Sequence, residues 1–276
     1  MDDKLEALLE LESIENARVK RKSEFGAYNY DDTIPVPRVT KIIDSVMDKS
    51  FLYKYVASFG NYYAYLRERD IILSIGEQVH LCIDYFLETG KDREIDYKKY
   101  NKQAYYIENA YNNFKAWYNN LLSTGNTFEL IGLEVPVVSP YYGGCCDCLC
   151  KINGATYLLD FKTSKKITYD YIIQTIFYMN AINAGYCKLV PHIDGIGIIR
   201  VDKEAELYED LFLNDFNAEG HRMIEYYTSG AMSILSTYYN KINMEYTFNQ
   251  YKKNYTGIDN VINNLIDTPV IPEEEV

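Results

Sequence analysis

The sequence predicts an α/β protein, with a mixed central β-sheet flanked by helices and a mainly helical N-terminal region. Three observations lead there. Helical periodicity dominates residues 1–125. Strand-like segments gather around an Asn-Gly turn within 126–202. A helical pattern returns from 203 onward. Helices, then β-β-β-α-β, then helices is the order of a sheet layered between helices. With 276 residues and 47% hydrophobic content, the chain can bury one large core, and a single domain over 1–276 is expected.

The elements follow in order. Leu5, Leu8, Leu9 and Ile14 share a helical face within 2–21. Pro35 and Pro37 mark a loop. Thr40 reads as the cap of a helix through about Ala57. A second helix spans roughly Tyr62–Leu87 and stops before Gly90; a third spans about Tyr97–Leu122 and stops before Gly125. Phe128–Val138 is strand-like. Asn153-Gly154 between two apolar-rich runs predicts a two-residue hairpin, because both residues tolerate the positive φ of a type I′ turn. Thr168 with Asp170 in the first turn predicts a helix to Ala184, ended by Gly185. Ile193, Ile196, Ile198, Ile199 and Val201 mark a fourth strand within 188–201. Helical patterning then runs from Lys203 to about Asn240, and the Pro-Glu-Glu-Glu-Val tail reads as loose.

Composition excludes several function classes. The net charge of −12 argues against a broad grip on duplex phosphates. Any nucleic-acid contact is expected in a local basic groove, either Lys98, Lys99 and Lys102 or Lys162, Lys165 and Lys166. The 29 tyrosines read as the coding bias of an AT-rich genome ahead of a base-stacking surface. No run of eighteen apolar residues suggests a membrane span, and Met1-Asp2-Asp3-Lys4 lacks signal-peptide character. A soluble cytoplasmic protein without membrane contact is expected. Of six cysteines, Cys145, Cys146, Cys148 and Cys150 crowd one strand. Cys145 and Cys148 form one C-x-x-C without a second, so no zinc or iron–sulfur site is expected, and Cys146, Cys148 and Cys150 read as small buried apolar residues in a reducing compartment.

The hairpin carries chemistry. Counting outward from Asn153-Gly154 places Asp147 opposite Asp160 and Cys145 opposite Lys162. Opposed residues have Cβ atoms about 5 Å apart, and like charges so placed destabilise a sheet. A shared proton, a cation or Lys162 must compensate. Alternation puts Lys162 on the face of Asp160, with Leu159 and Phe161 on the other, and sends Cys146, Cys148 and Cys150 to the face opposite Asp147. Converging hard oxygens suit Mg²⁺ or Mn²⁺. The plainer alternative is a solvated hairpin whose acids are eased by Lys162.

Asp160-Phe161-Lys162 preceded by Asp147 resembles the signature of the PD-(D/E)XK nuclease superfamily, and more narrowly its RecB-like exonuclease branch. That branch includes CRISPR-associated and mitochondrial genome maintenance exonucleases and many phage relatives. Gly76-Glu77-Gln78-Val79-His80 is similar to its G-x-x-x-H helix. Gly144 ahead of Asp147 is similar to its small-residue approach. Asp160-Phe161-Lys162-Thr163-Ser164 is similar to its D-x-K-T-S strand end, and Gln174-Thr175-Ile176-Phe177-Tyr178 to its Q-x-x-x-Y helix. Val36-Pro37-Arg38-Val39-Thr40 resembles a P-S-V-T entry, with Arg38 where Ser is usual. The resemblance spans about 35–200.

The resemblance implies a restriction-endonuclease-like core and a metal-dependent DNA exonuclease acting on single strands or free ends. It assigns Mg²⁺ or Mn²⁺ to His80, Asp147, Asp160 and the Phe161 carbonyl, without an iron–sulfur cluster. Lys162 would orient or deprotonate water or stabilise the transition state. Gln174 and Tyr178, four apart, share a helix face toward the site. Thr163 and Ser164 would bond a substrate phosphate. Glu134 reads as a strand-edge charge ahead of a second metal carboxylate, and His192 and His221 as structural. Two other readings stay open: an endonuclease of the same fold, and a non-catalytic nucleic-acid-binding subunit.

Overall fold

In the computed structural model, the structure describes residues 28–30, 34–48 and 50–255. The helix expected over 2–21 and the C-terminal tail lie outside the described residues. A short hairpin of β1 (Tyr28–Tyr30) and β2 (Ile34–Val36) leads into α1 (Val39–Val46) and α2 (Ser50–Ala57). The single helix expected from Thr40 to Ala57 is thus two. Met47 turns extended, and the Asp48 carboxylate accepts from the Ser50 amide at 2.8 Å, which caps a new helix start. Thr40 lies inside α1, and the cap position falls on Arg38.

The long α3 (Tyr62–Thr89) starts where the Asn61 side chain accepts from the Ala64 amide at 2.8 Å, and it stops at Gly90 with φ 70°. At 28 residues it is about 42 Å long. The third expected helix breaks at Asn101, φ 48°, into α4 (Tyr97–Tyr100) and α5 (Lys102–Ser123). Then come β3 (Phe128–Val138), β4 (Gly143–Ile152), β5 (Ala155–Lys162), α6 (Tyr169–Ala181), β6 (Gly195–Val201), β7 (Tyr208–Asn214) and α7 (Ala218–Tyr255). Thr168 holds the cap position of α6, which ends earlier than Ala184 and passes into a π-turn, Ile182–Tyr186, with Gly185 at φ 88°.

The five strands β3–β7 pair in chain order, with β5 and β6 parallel and the other pairs antiparallel. The sheet is therefore mixed, as the sequence predicts. It extends past 202, because β7 occupies a stretch expected to be helical. Glu206, Glu209 and Asp210 mask the strand pattern there. An edge strand tolerates such charges, since one side faces solvent. Asp202 makes the turn that returns the chain, its carboxylate accepting from the amides of Glu204 and Ala205 at 2.8 and 3.0 Å.

Each face of the sheet buries its own core. On one, Cys148, Cys150, Leu159, Phe161 and Ile199 pack against Ile75, Val79 and Ile83 of α3 and Ile107, Phe114 and Trp117 of α5. On the other, Cys146, Leu149, Leu158, Ile196 and Ile198 pack against α1, α6 and α7 through Ile42, Ile176, Phe177 and Ala231. The expectation that Cys146 shares a face with Cys148 and Cys150 does not hold; the strand reverses its alternation between them. Among the described residues no helix is long and apolar enough to cross a membrane.

The Phe114 ring sits edge-on to Phe161, 5.4 Å between centroids, and so joins α5 to the strand that ends at Lys162. Phe114 is fully buried. Phe114→Ala is expected to destabilise the fold by about 3–5 kcal/mol in urea unfolding, from lost burial plus an unfilled cavity.

Candidate metal centre

The β4–β5 register follows the Asn153-Gly154 turn as counted, from Ile152↔Ala155 to Cys148↔Leu159. There the ladder stops. Beyond it β4 stays with β3 as far as Val138↔Gly143, while β5 stays with β6 as far as Lys162↔Arg200. The two strands splay, so Asp147 and Asp160, and likewise Cys145 and Lys162, are not ladder partners. Asp147 spans the gap instead, its Oδ2 accepting from the Phe161 amide at 2.8 Å. Cys145 turns to β3, where its thiol donates to Glu134 Oε2 at 3.5 Å.

The splay coincides with a kink in β3. Leu133 pairs with Cys148 and Val135 with Cys146, which sets Glu134 opposite Asp147. Glu134 has φ 47°, a left-handed conformation that costs a side-chain-bearing residue about 1–2 kcal/mol. At this level both strands switch faces: Leu133 and Cys148 enter one core, Val135 and Cys146 the other. Both carboxylates are thereby aimed out of the ladder at the same place.

His80 comes in from α3. Its Nε2 donates to the Phe161 carbonyl at 3.0 Å, which in the neutral ring leaves a lone pair on Nδ1, 3.7 Å from Asp147 Oδ2. Donor atoms of His80, Glu134 and Asp147 all lie within 4.8 Å of one another. An imidazole nitrogen and two carboxylates so close suit a divalent ion with octahedral preference, Mn²⁺ ahead of Mg²⁺ because of the nitrogen. Of the four ligands the resemblance implies, the structure brings His80 and Asp147 together and keeps the Phe161 carbonyl beside them. Asp160 does not join this group. Glu134, passed over as a strand-edge charge, does.

Asp160 faces Lys162, Nζ to Oδ2 2.5 Å, on the opposite side of β5 from Phe161. Burial pushes the Asp160 carboxyl up to about 6; Lys162 opposes the rise and Asp147 adds to it. Burial also disfavours the Lys162 ammonium, but the charges of Asp160 and Asp147 outweigh it and hold its pKa above the usual lysine value. Both groups therefore hold their protons more tightly than in water.

Tyr178 lines the same side. Its ring lies on Gly144, where any Cβ would collide with it. Gln174 Nε2 donates to the Tyr178 hydroxyl at 3.2 Å. Burial, Asp160 and Asp147 all push the phenol pKa upward, so Tyr178 shares the field of both acids. Thr163 stands at the strand end against Gly76 of α3. Ser164 turns inward: its hydroxyl donates to the Lys166 carbonyl at 2.9 Å, and its own carbonyl accepts from Arg200 Nη1 at 3.2 Å. Arg200, 1% exposed, is fixed by Asp202 and Glu209 at 2.9 and 2.6 Å and braces the loop after β5. His192 and His221 are exposed beside Asp194 and Asp215 and take no part.

A carboxyl whose folded pKa is raised binds its proton more tightly in the native state, so stability falls as pH rises from the unfolded value toward the folded one. Between about pH 4 and pH 6, in the presence of a chelator, the wild type is therefore expected to lose stability relative to Asp160→Asn. Thermal or urea unfolding of the two proteins across that range checks this, and parallel pH profiles contradict it.

Neither a scan against protein-family models nor a search of the curated proteins finds a match to this chain.

Proposed function

We propose that the protein is a metal-dependent deoxyribonuclease that hydrolyses phosphodiester bonds in DNA, on single strands or at free ends. The observation that carries this reading is the meeting of the His80, Glu134 and Asp147 donor atoms within 4.8 Å, next to the buried Asp160–Lys162 pair. Mg²⁺ or Mn²⁺ held there supplies Lewis-acid chemistry for hydrolysis. The protein's own groups do the rest. His80, Glu134 and Asp147 hold the ion, and Asp147 is itself steadied by the Phe161 amide. Asp160 keeps the Lys162 ammonium in place at the gap between β4 and β5. Lys162 donates to the water or phosphoryl oxygen on which charge develops. Gln174 orients the Tyr178 hydroxyl for a second donation to the phosphate, and Thr163 adds a hydroxyl at the strand end.

Such a site lies at the carboxyl end of β5, beside the parallel neighbour β6, where α/β sheets commonly bind ligands. The net charge of −12 fits a local contact with few phosphates and hence a shallow salt dependence. The reading also places the enzyme in a reducing cytoplasm, which matches six free thiols.

Incubation of end-labelled single-stranded DNA with Mn²⁺ or Mg²⁺ tests the proposal. Cleavage is expected to stop with chelator and to fall by about a hundredfold or more in Lys162→Ala. Calorimetry with Mn²⁺ alone should show Glu134→Gln and Asp147→Asn each weakening binding by about tenfold or more. Cleavage that survives chelator and is unchanged in Asp160→Ala and Lys162→Ala would sink the assignment. A closed circular single strand separates end-dependent from internal cleavage.

A further inference from the structure

A cavity adjoins the proposed centre. It measures about 650 Å³ and lies between the C-terminal end of α1 and the loop that joins β5 to α6. Its walls are Ile43 and Met47 on one side and Tyr169 and Tyr171 on the other, with Lys165 and Lys166 on the loop. Tyr171 belongs to both sites, because the Lys162 ammonium sits 5.1 Å from its ring centroid. Whatever occupies this cleft therefore touches the ring that the Lys162 ammonium faces.

The lining selects the chemistry of the occupant. Asp44, Asp48 and Asp170 also face the cleft, three carboxylates against two ammonium groups. A phosphate would meet a lining of net negative charge. A flat, neutral ring would not: Tyr169, 56% exposed, offers an aromatic surface, and Ile43 and Met47 add an apolar wall. Carboxylates accept hydrogen bonds from the two N–H groups of an exocyclic amine, whereas thymine offers them a single ring N–H between two carbonyls, to which they have nothing to give. Asp48, hydrogen-bonded by the Ser50 amide and hydroxyl at 2.8 and 2.9 Å, has its pKa held below the usual range and stays an acceptor. The loop wall is preformed, since Arg200 and the Ser164 hydroxyl fix its backbone.

We infer that this cleft is a nucleobase subsite, taking the base of the nucleotide that adjoins the scissile phosphate and favouring an amine-bearing base such as cytosine over thymine. The inference rests on the nuclease reading for the position of that phosphate. The base stacks on Tyr169, its amine meets the carboxylates, and Lys165 and Lys166 remain at the rim for the neighbouring phosphate.

Calorimetric binding of deoxycytidine and thymidine monophosphates to the full chain, with Mn²⁺ present, tests the subsite directly. The cytidine nucleotide is expected to bind about tenfold more tightly than the thymidine nucleotide. Tyr169→Ala is expected to weaken binding by about tenfold, and Tyr169→Phe to restore it, because the ring and not the hydroxyl does the stacking. Circular dichroism of both variants is the control for folding. Equal affinity for the two nucleotides, no binding of either, or affinity indifferent to Tyr169→Ala overturns the subsite. Wild-type hydrolysis of methyl p-nitrophenyl phosphate, which carries no base, reads the metal centre alone. Base-selective binding without any metal-dependent hydrolysis keeps the subsite and sinks the nuclease reading; hydrolysis without base selectivity does the reverse.

Discussion

Three carboxylates, Glu134, Asp147 and Asp160, crowd the end of the sheet where β4 parts from β5, and their repulsion is the constraint on which the rest of the site depends. In a regular sheet, like charges across a ladder weaken it. Here the ladder stops before it reaches them. Asp147 bonds a backbone amide, Asp160 pairs with Lys162, and Glu134 takes a left-handed backbone that turns it out of the strand. Strain at such a residue persists only where the surroundings enforce it, and it gathers at functional sites. The enforcement is visible in both cores. Because β3 and β4 change faces together, Val135 and Cys146 enter one core and Leu133 and Cys148 the other.

The supports come from all three layers. From one side α3 delivers His80 onto the Phe161 carbonyl, backed by the α5 aromatics against the Phe161 ring. From the other α6 delivers Tyr178 and Gln174. At the edge, the β6–β7 hairpin delivers Arg200, whose guanidinium holds the backbone of the loop after Lys162. A buried guanidinium is stable only with its charge partners, and Asp202 and Glu209 provide them. The strand that sequence patterning misses, β7, thus supplies Glu209, one of the two partners that fix the β6 guanidinium on the loop between the proposed centre and the neighbouring cleft.

Some of this is legible in residues alone. The Asn153-Gly154 turn determines the register as far as Cys148 and Leu159, and the spacing of Gln174 and Tyr178 puts both on one helical face. The splay beyond Cys148 is not legible, because it coincides with the level at which β3 and β4 switch faces between the two cores, a feature of tertiary packing. Glu134 was within reach: counting outward across the four residues Ser139–Tyr142, from Val138 opposite Gly143, sets it against Asp147. What hides it is a backbone angle that a glutamate rarely adopts, which turns its side chain out of the regular alternation. The helix breaks at Met47 and Asn101 escape notice because neither residue is a strong breaker; tertiary packing overrides local preference there.

Gly143 and Gly144 lie under two tyrosine rings, Tyr28 from the N-terminal hairpin and Tyr178 from α6. A side chain at either glycine would overlap the ring above it. Position 144 and Tyr178 therefore form a couple that changes only in a set order: a step away from glycine is closed until the ring above it has already become smaller. At 143 the added carbon would also meet the Tyr28 Cβ, so trimming that ring does not open the position, and glycine there answers to the closeness of the two chain segments.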